Sequence, residues 1–453
     1  METKKLAEFS SAIKYENLSA KTLRKTKQCI LEWLGVCIMG AQEPPIKIIR
    51  KVLLPTGGDN KATVLDGKNE KTSALNAAFC NAAASHSLDF DDLHCPSIIH
   101  LAAIVIPPIF ALAEAEHKSG KEMLAATVAG YEVGARAGEA VVPESYYFWH
   151  TTATAGIFGA GAAAARILGL DAATTVQTLG SAGTQAAGLW EFLADGSMSK
   201  TLHAGKGAYA GVLSACLARE GFTGASKILE GEKGFCRAML AKPHLEKLLA
   251  GLGQGYKIDQ NSFKPYPCCK HAHSSAFATQ VMREENRLKP ADIASIELYV
   301  NNLTNTLINS PAPENAYGCK FSIQYCVAAM LKYGKLTIEQ FNPALINDQE
   351  VRALMTKIKV IQDKEIEAIH ANDPTKYAAK VVINCLDGKK LSMQVDYPKG
   401  DPPNPMSWEE SVEKFKTLAV PVYGGQTAAK LCALVDKLEE ADDFAKALQA
   451  ALQ

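Results

Sequence analysis

The densest polar constellation in the chain is His86-Ser-Leu-Asp89-Phe-Asp91-Asp92-Leu-His94 with His100 close behind, directly after a run of small helix-forming residues from 74 to 84. Histidine exchanges protons near neutral pH, and a neighbouring carboxylate can orient the ring or share its proton. Three aspartates at the C-terminal end of a helix oppose the negative end of its dipole, and a local rule of that kind is usually broken at a functional site. The plainer reading is a solvated acidic helix end with capping aspartates.

Three further segments carry groups of the same kind. His150 is followed by Thr151 and Thr152 and then by a small-residue helix, for which either threonine can serve as N-cap. The stretch from Asp195 to His203 reads as a turn into another Ala/Gly-rich helix, with Lys200 and His203 in its first turn. Cations beside the free N–H groups of a helix N-terminus make a good carboxylate site. The plain alternatives are a hydrogen-bonded core histidine and a solvated lysine. In Lys264-Pro-Tyr-Pro-Cys-Cys-Lys-His271-Ala-His273 the prolines stiffen the backbone and hold Lys264 in place. Cys268 and Cys269 have no Cys-x-x-Cys partner elsewhere, so packing thiols are favoured over a metal or iron–sulfur site. The aspartates and histidines of the first segment lack a ligand spacing repeated on one helix face, and metal is set aside. No Gly-rich phosphate loop follows a strand, because residues 156–161 lie in a helical alanine stretch; no organic cofactor is expected.

The elements that must position these groups are mostly helical. From about residue 20 to 250 apolar residues recur at helical spacing, as in Leu23, Ile30, Leu34, Cys37 and Ile38 with a stop at Gly40. Alanine and glycine dominate at 153–165, 180–188 and 204–218, which lets helices approach closely. The texture changes near Ser262. Beyond it Ile296, Leu298 and Val300 alternate with polar residues, and Val381, Ile383 and Cys385 face Leu391, Met393 and Val395 across Asp387-Gly388, a hairpin signal. After the Pro-rich stretch 401–405 the helical pattern returns through Ala428, Leu431, Leu434 and Leu438. The expected fold is therefore mainly α: an all-α helical domain over 1–260, a smaller inserted α+β domain over 261–400, and helices over 401–453 that return to the first domain.

Composition bounds the partners. In 453 residues, 47% hydrophobic and 21% charged, Lys plus Arg equals Asp plus Glu at 48 each. No global field gathers nucleic acid or an anionic membrane, so any bound anion must be small and met locally. The start lacks the apolar stretch of a secretory signal, and the longest apolar run, 101–113, is too short for a bilayer and contains Pro107 and Pro108. Twelve scattered cysteines suit free thiols in a reducing cytoplasm.

Taken in order, Asp89-Phe-Asp-Asp-Leu-His94, His100, Trp149-His150-Thr-Thr, Lys200-Thr-Leu-His-Ala-Gly-Lys206, Lys264-Pro-Tyr-Pro-Cys-Cys-Lys-His271 and Phe321-Ser-Ile-Gln-Tyr325 resemble the MmgE/PrpD family across nearly the whole chain. That family includes 2-methylcitrate dehydratase, cis-aconitate decarboxylase and iminodisuccinate epimerase. The resemblance implies a large helical domain, a smaller α+β lid, a homodimer and no metal requirement. It puts Asp89, His100, His150, Lys200, Lys264 and Tyr325 around a cleft between the domains, and His94, His203, Lys206, Cys269 and His271 belong to the same motifs as expected substrate contacts. Leu93 and Leu101 stand where many relatives have Thr and Pro, so one pocket hydroxyl is lost.

Removing a proton α to a carboxylate needs a base near neutral pKa and fixed cations or N–H donors where charge develops. His150 is expected as the base or acid, Lys200 and Lys264 as carboxylate binders, and Asp89 and His100 as orienting or relaying groups. Tyr325 is a donor to a leaving hydroxyl or else a core aromatic on the stripe Phe321, Tyr325, Ala328. Dehydration, decarboxylation and epimerisation share the charged intermediate, and the sequence ranks them in the order dehydratase, epimerase, decarboxylase. The rival from another class is a silent relative that binds a carboxylate without turning it over.

Overall fold

The computed structural model describes residues 1–453 except for the side chains of Leu193 and Asp195. It divides into two compact units, Met1–Ser262 with Ser407–Gln453, and Phe263–Met406.

The first unit is a helical assembly whose members start where serine and aspartate allow. Ser19, Ser73 and Asp171 each accept a backbone N–H from the first turn of the helices Ala20–Gly40, Ala74–Ser85 and Ala172–Gly183. Ser119 and Glu122 close a reciprocal capping box on Gly120–Glu139. At the centre lies Leu101–Ala115, nearly all of it buried. Pro107 and Pro108 sit inside this helix without ending it. Small residues set the spacing around it: a Cβ on Gly134 would come 3.2 Å from Cα of Gly159, and one on Gly130 would come 2.9 Å from the Gly159 carbonyl oxygen. The helices Gly120–Glu139 and Gly156–Ile167 therefore approach backbone to backbone, as their composition implies. The Ala/Gly pattern at 180–188 is helical only as far as Gly183.

The chain returns to this unit as Trp408–Asp436 and Phe444–Leu452. By length and composition Trp408–Asp436 is long and apolar enough to cross a membrane, which the sequence reading did not foresee. It is broken at Gly424 (φ 77°, ψ 164°). Lys414 in its first half forms a buried ion pair with Glu32 of the helix Ala20–Gly40 and donates to the Phe90 carbonyl at 3.0 Å. That bond reaches the polar segment around Asp89.

The second unit is α+β. Its four strands run in the order Ile358–Gln362, Ile293–Val300, Ala379–Cys385, Lys390–Val395, with the first pair parallel and the others antiparallel. The hairpin turns at Gly388, whose φ of 88° suits glycine. Val381 pairs with Met393 and Ile383 with Leu391, while Val395 faces Ala379. The helices His273–Asn286 and Ile323–Tyr333 contribute Ala276, Met282, Val327 and Met330 to one apolar core with Ile296, Leu298 and Val381 of the sheet.

Candidate active site

In the helical unit the acidic segment does not sit at a helix C-terminus. The helix Ala74–Ser85 ends before it, and the three aspartates lie on the following loop, each with a different task. Asp92 accepts the Ala102 N–H at 3.0 Å and the Tyr131 hydroxyl at 2.6 Å. Its charge thus stands at the N-terminal end of Leu101–Ala115, where the dipole favours it. Burial raises its carboxyl to about 6. Asp89, in the left-handed region at φ 56°, turns its carboxylate to Lys200, whose Nζ lies 3.2 Å from Oδ1. Asp91 is fully buried and faces two histidines: His86 Nδ1 is 2.7 Å from its Oδ2 and His100 Nδ1 is 3.2 Å from the same oxygen. The second contact is too oblique for a full hydrogen bond.

His150 stands next to this group. It occupies the N-cap position of the short helix Thr151–Thr154 itself, its N–H donating to the Gly188 carbonyl at 3.0 Å. The two threonines, expected as caps, instead tie the segment to the acidic loop. Thr151 donates its hydroxyl to the Ile98 carbonyl, and Thr152 Oγ1 accepts the His100 N–H at 3.2 Å. The His150 ring stacks on His86 at 5.2 Å and 16°, meets Trp190 edge-on at 4.8 Å, and has its Nδ1 3.0 Å from His203 Nδ1. His203 lies one turn into the helix Lys200–Arg219, so a single helix start supplies both a cation and an imidazole. Trp190 and Phe192, at 4.8 Å from His150 and 5.5 Å from His203, form the apolar side of the cluster.

Electrostatics keep these rings neutral. Burial, then the neighbouring imidazoles and Lys200, hold His150 well below the ordinary histidine range. Burial outweighs Asp91 at His86 and lowers it to about 4; burial and the two lysines bring His203 to about 4. Asp91 is also pushed upward by burial, yet the His100 and His86 rings hold it well below the usual carboxylate range. The donor atoms of His86, Asp91 and His100 all lie within 4.8 Å of one another, a set whose types also suit a divalent metal. At 2.7 Å the His86–Asp91 contact has hydrogen-bond length, and we read it as a proton-bearing contact.

Of the residues anticipated from sequence, Asp89, His100, His150, Lys200 and His203 come together here. Lys206 is near in sequence, but its Nζ donates to the Gln185 carbonyl. His94 is fully buried, bonded to Ser97 Oγ at 2.8 Å, and senses Lys257 and Gln260; burial lowers it to about 3. Leu93 is buried and exchanges backbone bonds with Ser262. Leu101 is core: a Cβ on Gly134 would lie 2.8 Å from its Cδ2.

Lys264, Cys269, His271 and Tyr325 belong to the second unit. Lys264 is almost wholly buried on its proline-stiffened loop, and the Cys269 N–H donates to the Lys320 carbonyl at 2.9 Å. His271 Nδ1 lies 2.7 Å from Thr304 Oγ1, and burial lowers the ring to about 3. Tyr325 is a core residue packed on Phe341, its hydroxyl donating to the Gln340 carbonyl.

His86, Asp91 and Trp190 were not singled out beforehand. The first two stood in the acidic motif, with nothing in the string to rank them against Asp89 and Asp92. Two recessed surfaces of about 310 and 330 Å³ lie elsewhere, around Tyr256 and Lys257 and around Lys47 and Asp66; neither includes a member of the histidine cluster.

A pH dependence of stability follows. His86 and His203 at about 4, and His94 and His271 at about 3, stay neutral in the fold, whereas in an unfolded chain they take up protons below about 6.5. Their contribution is complete above that pH and is lost as pH falls toward 4 and then 3. Asp92, raised to about 6, acts in the opposite sense between pH 4 and 6, one carboxyl against several imidazoles. Urea unfolding midpoints are expected to drop from pH 7 to pH 5; equal midpoints would contradict this assignment.

Comparison with known proteins agrees with the motifs. The family model described as the MmgE/PrpD N-terminal domain matches residues 4–248, and the MmgE/PrpD C-terminal domain matches residues 266–440. The cis-aconitate decarboxylase of Homo sapiens is 29% identical over 97% of this chain and 92% of its own length. The cis-aconitate decarboxylase-like protein oryM of Aspergillus oryzae is 26% identical over 98% and 96%. The mitochondrial 2-methylcitrate dehydratase of Yarrowia lipolytica is 28% identical, over 32% of this chain and 29% of its own.

Proposed function

Because the chain belongs to the MmgE/PrpD family, matching both of its domain models in order, we propose that it is a lyase that generates or quenches a carbanion α to a carboxylate of a small polycarboxylic acid. The observation that carries this reading is the buried, neutral His150 beside the Lys200–Asp89 pair. A neutral imidazole in a dry site can take or return the α proton, and a lysine fixed within the same unit can bind a carboxylate and meet the enediolate charge.

Decarboxylation of an unsaturated tricarboxylate of the cis-aconitate type is the form we favour, since relatives with that activity in their names align along the whole chain. There the C–C bond to one carboxylate breaks, CO2 leaves, the electron pair enters the allylic system, and a histidine ring that has first taken up a proton from solvent gives it to the carbon and returns to the neutral form. Sequence alone ranked dehydration first. It remains the second reading, supported by the partial match to 2-methylcitrate dehydratase; there the C–H proton goes to the base and the hydroxyl leaves with a proton from an acid.

Proton NMR and CO2 release, followed with cis-aconitate and 2-methylcitrate in turn, separate these forms. CO2 from cis-aconitate supports the first; loss of water from 2-methylcitrate without CO2 replaces it by the second. A folded protein that turns over neither, nor any related di- or tricarboxylate, would overturn the lyase reading.

A further inference from the structure

We infer that Asp91 is a positioning residue that fixes the ring orientation and tautomer of His86 and His100 together, and so holds the surface on which His150 stacks. The inference deepens the proposed proton-transfer role of His150 and rests on it for its functional consequence, though not for its geometry.

One oxygen does the orienting. His86 Nδ1 and His100 Nδ1 both converge on Asp91 Oδ2, at 2.7 and 3.2 Å. A carboxylate that stays ionised can only accept, so His86 Nδ1 donates to it and carries the proton; His100 Nδ1, too oblique for a full hydrogen bond, still turns a proton rather than a lone pair toward the negative oxygen 3.2 Å away, and each Nε2 keeps its lone pair. The two rings are thereby set in the same tautomer by a single group.

The rings are also coupled to one another. His86 meets His100 edge to face, with centroids 4.9 Å apart at 63°, and lies nearly parallel to His150 at 5.2 Å. If His86 turned about its χ2, it would press on both neighbours. The His150 Nδ1 contact with His203, at 3.0 Å, extends the row, so Asp91 stands at one end of the series Asp91, His86, His150, His203.

The backbone on either side of Asp91 is pinned. Lys414 donates to the carbonyl of Phe90 at 3.0 Å and places its ammonium 3.9 Å from the centre of the Phe90 ring, its charge balanced by Glu32. On the other side the Asp92 carboxylate is held by Tyr131 and the Ala102 N–H. A carboxylate suspended between two anchored neighbours has little freedom, which an orienting group requires. Asp91 Oδ1 and His86 Nε2 are both buried without a protein partner. Buried polar atoms left in that state call for a reason, and a lone pair kept available beside the reacting histidines is one.

The test is nitrogen NMR of the full chain labelled with 15N-histidine, with His86 and His100 assigned by signal loss in H86Q and H100Q. In the unsubstituted protein both rings are expected as the Nδ1–H tautomer; in D91N, whose amide can donate as well as accept, both should move toward Nε2–H or a mixture. D91N is expected to lower kcat on the order of 10²-fold while KM stays within about threefold, and D91E to recover part of the loss. Nε2–H on both rings of the unsubstituted protein, or tautomers unchanged in D91N, would overturn the inference. So would stoichiometric divalent metal that is lost in D91N. Should D91N fail to fold, the tautomers of the unsubstituted protein decide alone. If the protein turns over no polycarboxylate, the proposed function falls while the NMR result still answers for Asp91.

Discussion

His150→Ala is expected to lower kcat/KM on the polycarboxylate substrate by roughly 10²–10⁴-fold, the range a positioned general base or acid contributes. The ring is buried, neutral and touched on three sides by His86, Trp190 and His203. Only one of the two facing nitrogens in the His150–His203 pair can carry a proton while both rings are neutral. For His150 to act through Nε2, its Nδ1 must donate and His203 Nδ1 must accept. His203→Ala should then cost activity by releasing that tautomer, with a smaller loss than His150→Ala. Steady-state kinetics with thermal unfolding as a control check this; a His150→Ala protein that folds and retains more than about a tenth of kcat/KM would remove His150 from the mechanism.

Lys200→Met is expected to cost roughly 10²–10³ in kcat/KM, comparable to deleting one fixed donor to a developing oxyanion. The lysine is the first residue of its helix, and its Nζ lies 3.2 Å from Asp89 Oδ1. Methionine keeps the length and apolar stem of the side chain and removes the charge, so the stem's packing survives. Asp89, left without that partner, adds a negative charge near the substrate and should weaken carboxylate binding as well. Lys200→Arg should recover binding more than rate, because charge is restored but the guanidinium cannot reproduce a point ammonium. A Lys200→Met protein with unchanged kcat and KM would show that the lysine serves only Asp89.

Much of this organisation was legible in the string. The hairpin at Asp387-Gly388 could be read because alternation and turn chemistry agree there, and the close approach at Gly159 follows from the small residues of 153–165, whereas its partners Gly130 and Gly134 were not picked out. The acidic motif drew attention, but its internal division of labour could not be read. Asp89, Asp91 and Asp92 are chemically alike, and only the left-handed turn at Asp89 and the start of the next helix at Leu101 separate an ion-pair partner, a histidine anchor and a cap. The threonines after His150 read as caps by local preference, yet their hydroxyls bond to the distant loop at 98–100, a tertiary choice that propensity does not encode. Tyr325 and His94 carry the right chemistry for a site, and the string did not show that each is buried with a bond inside its own unit, Tyr325 to the Gln340 carbonyl and His94 to Ser97.

The most direct test of the central claim is solvent deuterium. With the protein in D2O and its polycarboxylate substrate, product or recovered substrate is expected to carry one deuterium on the carbon α to a carboxylate, and His150→Ala should abolish that label. Decarboxylative turnover that leaves this position unlabelled, or labelling undiminished in the folded variant, would contradict proton transfer by the histidine cluster.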